Sequence, residues 1–114
     1  MPSLVVIRIG PQAPTDALSF TAALAANGTF TSSWTPSRGF ARIVATAFAD
    51  QAGTLYVEQS NDNTNADVSS SWAVSASTGL PVSVEVIGQF YRLRYVNGGN
   101  AQGTFRLYCN TREV

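Results

Sequence analysis

From Gly53 to Tyr108 apolar and polar residues alternate in short runs separated by breaks rich in Gly, Asn and Asp. A period of two belongs to a strand with one buried face and one wet face, and it cannot serve a helix, whose apolar stripe repeats every ~3.6 residues. Val82, Val84 and Val86 point one way while Ser83 and Glu85 point the other, and Tyr91, Leu93 and Tyr95 oppose Arg92 and Arg94 in the same manner. The pattern predicts strands over 18–24, 29–34, 40–48, 54–60, 68–77, 82–87, 90–96 and 104–109, with a further apolar run over 4–9. About eight or nine short strands without a helical segment predict an all-β fold, an antiparallel β-sandwich of jelly-roll type.

Turn chemistry suggests how the strands join. Asn27-Gly28 lies between two β-like runs, which predicts a hairpin of 18–24 with 29–34. The alanines before it also suit one helical turn. Asn97-Gly98-Gly99-Asn100 predicts a second hairpin, pairing 90–96 with 104–109. Asn27-Gly28-Thr29 is a glycosylation sequon as well, although the turn accounts for it.

The chain has 114 residues, enough for one domain with its own core. Only 12% are charged against 45% hydrophobic, so much of the surface is polar but uncharged. Seven cations balance seven anions, a balance that attracts neither a nucleic-acid backbone nor an anionic membrane. All seven cations are arginine, the residue suited to bidentate and stacked contacts. The start of the chain lacks a basic n-region and its apolar run breaks at Arg8, so neither a signal peptide nor a membrane span is expected there. The expected place of synthesis and assembly is the cytoplasm.

Residues able to do chemistry are scarce. Without His, a serine or cysteine nucleophile lacks its usual base, and zinc hydrolysis loses its usual ligand. Cys109 is the one cysteine; it falls in the apolar pattern Phe105, Leu107, Cys109 and is expected to act as a small hydrophobe. Asp50, Glu58, Asp62, Asp67 and Glu85 leave a paired-carboxylate hydrolase formally open. The loop from Asn61 to Asp67 spaces its oxygens as calcium loops do, but it has Ala66 where a glycine belongs and no closing Glu, so it reads better as a turn. No enzyme activity, cofactor or metal is expected.

One cationic group stands out. Arg92 and Arg94 share a strand face, and the second predicted hairpin would set Arg94 opposite or diagonal to Arg106. Such a cluster needs an answer in negative charge. Glu58 and Glu85 on neighbouring strands are the internal candidates, and carboxylates of a protein partner are the external ones. Trp34, Trp72, Tyr56 and Tyr108 either fill the core or form a platform for sugars.

The runs 53–62, 82–86, 90–98 and 101–108 together resemble a β-sandwich module of tailed-bacteriophage virion structural proteins, and most of all a small capsid decoration (cement) protein. The similarity starts near Asn27 and covers about three quarters of the chain; the sequence departs from it at Asn63 and Ala66. The resemblance implies a non-enzymatic virion protein on the outer capsid surface, with the major capsid protein as partner and a homo-oligomer, a trimer, as the working form. It implies a strand and Pro-rich arm over 1–16 and a sandwich over 17–114. The implied capsid or subunit contacts are Leu4, Val6, Arg8, Pro11 and Pro14 from the arm, and Arg92, Arg94 and Arg106 from the sandwich. A tail-fibre, baseplate or neck-appendage module that binds host glycans is the alternative.

Overall fold

A computed structural model describes residues 18–113. The expected arm, with Leu4, Val6, Arg8, Pro11 and Pro14, lies outside the described residues.

Among the described residues there is no helix, and nine strands form two antiparallel sheets. In chain order they are β1 (Leu18–Phe20), β2 (Thr29–Thr31), β3 (Thr35–Pro36), β4 (Arg42–Ala49), β5 (Gly53–Ser60), β6 (Val68–Val74), β7 (Leu80–Glu85), β8 (Phe90–Asn97) and β9 (Phe105–Arg112). The first sheet runs β1-β9-β4-β7 and the second β2-β8-β5-β6, with β3 paired to β8.

These orders describe a long ribbon wrapped on itself. β1 pairs with β9, β2 with β8, β4 with β7 and β5 with β6, and successive pairs fall in alternate sheets. The pairings of β4 with β9 and β5 with β8 then close each sheet. That is the jelly roll expected from the spacing of the strands.

The wrapping overturns both predicted hairpins. β1 and β2 belong to different sheets, so Asn27-Gly28 turns the chain from one layer to the other. Asn27 alone of the two has positive φ, 59°, and the Gly28 N–H donates to the carbonyl of Ala25 at 2.9 Å. A type I′ hairpin would require positive φ at both residues. β8 and β9 likewise lie in different sheets, so Asn97 to Gln102 crosses between layers. The predicted strand over 29–34 also splits: the Ser32 N–H still donates to the carbonyl of Leu93, but the Leu93 N–H donates to the Ser32 hydroxyl oxygen, and the chain then bends into β3.

Alternation places the core. Ile43, Ala45, Ala47 and Ala49 of β4 face Leu55 and Val57 of β5 and Tyr91, Leu93 and Tyr95 of β8 across the interior. Small side chains on one sheet leave room for large ones on the other. At one end the layers are joined through rings: Phe20 stacks on Phe30 at 3.8 Å, and Phe105 meets Phe20 at 5.9 Å and Tyr95 at 4.6 Å. Each contact crosses from the first sheet to the second except that between Phe20 and Phe105. Cys109 is buried with this core, and burial pushes its thiol up to about 12, so it is a packing residue and a poor nucleophile.

Candidate functional site

The outer face of the second sheet carries the cluster that the sequence partly anticipates. In β8, Arg92 and Arg94 point outward because Tyr91, Leu93 and Tyr95 fill the core. Register sets Glu58 of β5 opposite Arg92, and Tyr56 opposite Arg94. Arg92 Nε donates to Glu58 Oε1 at 2.8 Å, while Arg94 donates through Nε and Nη2 to Oε2 at 3.3 and 3.2 Å. Ser69 of β6 donates its hydroxyl to the same Oε2 at 3.2 Å.

Rings enclose this ion triad. The Arg92 guanidinium lies 4.3 Å from the centre of the Trp34 ring, and that of Arg94 lies 3.8 Å from Tyr56. The face thus reads ring, cation, anion, cation, ring. Although Glu58 sits on an outward face, the arginines cover it to 4% exposure. Burial pushes its carboxyl up, but hydrogen bonds from Arg92 and Arg94 and their charges together outweigh burial and hold it below its ordinary value. The side chains of Arg92 and Arg94 remain 26% and 30% exposed, so the triad presents net positive guanidinium surface framed by two aromatic rings.

Arg106 does not join them. It lies on β9 in the first sheet, opposite Phe48 of β4, with its guanidinium 4.4 Å from the Phe48 ring. The predicted adjacency of Arg94 and Arg106 depended on a β8–β9 hairpin, and the jelly roll places these strands in separate layers. Glu85 is likewise on the first sheet, in register with Arg42, and does not reach Arg92 or Arg94. Of the two internal candidates, Glu58 alone answers the pair.

The other suspected sites are taken up by local structure. Asp62 accepts the N–H groups of Thr64 and Asn65 at 2.9 and 2.8 Å and a side-chain bond from Asn65, which hold its carboxyl well below the usual range. Asp67 accepts the N–H of Asn61, and Asn63 has positive φ, 63°. The loop from Asn61 to Asp67 is therefore an Asp-closed turn whose carboxylates serve its own backbone. Asp50 is lowered by the backbone N–H groups of Thr104 and Gly103 and pins the β8–β9 crossover. Among the described residues no three or more Cys, Asp or Glu gather as metal ligands. The four suspected platform aromatics divide: Trp34 and Tyr56 stack on arginines, Trp72 packs against the core, and Tyr108 stands 42% exposed on the first sheet.

Kinship agrees with a phage-type β domain. Residues 11–112 match the model of a family described as the N-terminal domain of the uncharacterised protein YqxG. The chain belongs to the YqxG N-terminal domain family. It is 38% identical over 63 residues to protein YqxG of Bacillus subtilis (strain 168), a match covering 54% of the chain and 21% of that relative. It is also 38% identical over 65 residues to the phage-like element PBSX protein XepA of the same organism, covering 54% of the chain and 23% of XepA. The crystal structure of the PBSX exported protein XepA superposes with a TM-score of 0.75 at 27% identity over 90% of the chain and 39% of XepA. The YqxG N-terminal domain is therefore a fraction of these longer relatives. A chain from the disulfide-linked pili of Bacillus endospore appendages superposes with a TM-score of 0.54 at 13% identity over 97% of this chain and the whole of that one, a likeness of fold alone.

Proposed function

We propose that this chain is a non-enzymatic structural module of a phage-type particle, and that its specific role is to decorate the outer capsid surface and stabilise the shell by contact with the major capsid protein. The observation that carries the phage-type reading is the XepA match, which spans 90% of the chain at 27% identity. A rigid jelly roll suits such work, since many copies in a symmetric shell add stability through contacts that exist only in the assembled lattice. The Arg92–Glu58–Arg94 face supplies a means of contact: guanidinium surface that a capsid carboxylate can approach, held in place by Glu58 and the two rings.

The description of XepA as an exported protein favours a second reading, in which the chain acts at the cell envelope or as a host-glycan adhesin of a tail structure. Pelleting separates the two. Purified protein is mixed with capsids assembled without it, and in parallel with cell-wall sacculi. Decoration predicts saturable co-sedimentation with capsids at a fixed ratio to capsid protein, weakened when Arg92 and Arg94 are both changed to Ser, and no binding to sacculi. Binding to sacculi with none to capsids would replace decoration by the envelope reading.

A further inference from the structure

We propose that the groove on the outer face of the first sheet binds a sugar ring that bears a carboxylate, as in the hexuronate units of acidic glycans. The groove, of about 260 Å3, runs along the middle of β4 with β7 on one side and β9 on the other. Register orders the side chains in three levels. Thr46 lies between Pro81 and Tyr108, Val44 between Ser83 and Asn110, and Arg42 between Glu85 and Arg112. Ring surfaces thus give way to a hydroxyl and an amide, and these to charge, with about 6.8 Å from one level to the next.

Each level suits one part of such a ligand. Tyr108 is 42% exposed and lines the groove. The face of an aromatic ring is negative, and it attracts the positively polarised C–H groups on one side of a pyranose. Pro81 faces Tyr108 across Thr46, about 9–10 Å away at the backbone, so the two walls can hold one ring between them. Asn110, half-buried in the groove, offers both a donor and an acceptor to ring hydroxyls. Arg112, exposed at the groove's end, supplies the paired donors that match a carboxylate. Along the strands of this sheet the outward charges are Arg42, Arg106 and Arg112 against Glu85, so the face favours an anion. Arg42 separates Glu85 from Arg112 and donates its Nε–H to the Ser83 hydroxyl at 2.7 Å. A peptide is a poorer occupant. The β4 backbone beneath the groove is paired on both sides, which leaves no ladder for an extended chain to join. Pockets for drug-sized ligands run to about 300–1,000 Å3, so this smaller one suits a single ring.

The groove lies on the opposite sheet from the Arg92–Glu58–Arg94 face, so it stands whether or not that face binds capsids. The test is a titration of the full chain, followed through backbone amide chemical shifts, with three probes. Methyl glucuronide carries ring and carboxylate, methyl glucoside has the ring without the carboxylate, and acetate has the carboxylate without the ring. We expect shifts in β4, β7 and β9, with the glucuronide bound about tenfold or more tighter than the glucoside, as one charge-assisted pair allows, and tighter than acetate. Arg112→Gln should reduce the glucuronide to the affinity of the glucoside. Tyr108→Ala should weaken both sugars and leave acetate unchanged. Both side chains are exposed, so neither change disturbs the core. The proposal is overturned by sugars that shift none of these strands, by equal affinity for the two sugars, by acetate bound as tightly as the glucuronide, or by a preference for the glucuronide that survives R112Q. Shifts confined to β5 and β8 would overturn it too, by moving the sugar to the arginine face.

Discussion

Glu58 carries more of the outer face than any other residue, because two guanidiniums and the Ser69 hydroxyl converge on its carboxylate. Replacing it with Gln leaves two arginines facing each other without an anion. Breaking a fully buried pair costs about 3–5 kcal/mol, but water reaches Arg92 and Arg94, so Glu58→Gln is expected to cost about 2 kcal/mol in denaturant unfolding. The same site sets a pH dependence. The folded carboxyl titrates below its ordinary value near 4.5, so its stabilisation is complete above that pH and is lost as pH falls through the folded value. Stability of wild type should therefore drop more steeply below pH 4.5 than that of E58Q, which retains the acid sensitivity of Asp50 and Asp62. Equal slopes would show that the triad is not formed in solution. Gly53 makes a second residue-scale prediction. A Cβ there would lie 2.6 Å from the Tyr95 hydroxyl and 2.8 Å from its ring, and Tyr95 is wholly buried against Phe105 and cannot retreat. Gly53→Ala should cost about 1–3 kcal/mol, read as a lower denaturation midpoint at unchanged slope.

Among the elements, the connections matter more than the strands. Gln59 shows how a crossover is held: its side-chain amide donates to the carbonyl of Glu85 at 2.9 Å and accepts the N–H groups of Ile87 and Gly88 at 2.8 and 2.9 Å. One buried side chain thus ties the β7–β8 link to β5. Gln59→Leu keeps the volume and removes all three bonds, and should cost about 2–4 kcal/mol. Hydrogen exchange at Ile87 and Gly88 should quicken more than exchange in β4 or β9; uniform change would deny Gln59 this role. The same level explains what could be read in advance. Strand positions and their two faces follow from alternation, so the opposition of Tyr91, Leu93 and Tyr95 to Arg92 and Arg94 was legible, while Glu58 was legible as one of two internal partners beside Glu85. Partners across Asn27-Gly28 and Asn97 to Asn100 were not, because turn residues report only that the chain turns. Which layer it enters is decided by contacts far apart in sequence, such as Phe20 on Phe30 and Tyr95 on Phe105. Arg106 was misplaced for that reason. Trp34 escaped assignment to the arginine face because the strand expected over 29–34 ends at Thr31, so its alternation does not carry on to Trp34.

As a whole molecule, the chain is two faces around one core. The second sheet presents the ring-flanked arginines, while the first presents Arg106 over Phe48 and a shallow groove of about 260 Å3 beside Val44, Pro81 and Tyr108. Among the described residues no helix is long and apolar enough to cross a membrane. Kinship with a domain of XepA joins this architecture to a phage-like element, and capsid decoration is the role proposed for it within that setting. The most direct measurement is the composition of purified particles released by the host genome that encodes the chain, by quantitative mass spectrometry after density-gradient separation. A structural decoration protein is present at a fixed, high ratio to the major capsid protein and remains with the capsid when tails are removed. Recovery of the chain in the culture fluid or cell envelope, with none on the particles, would contradict a place in the virion.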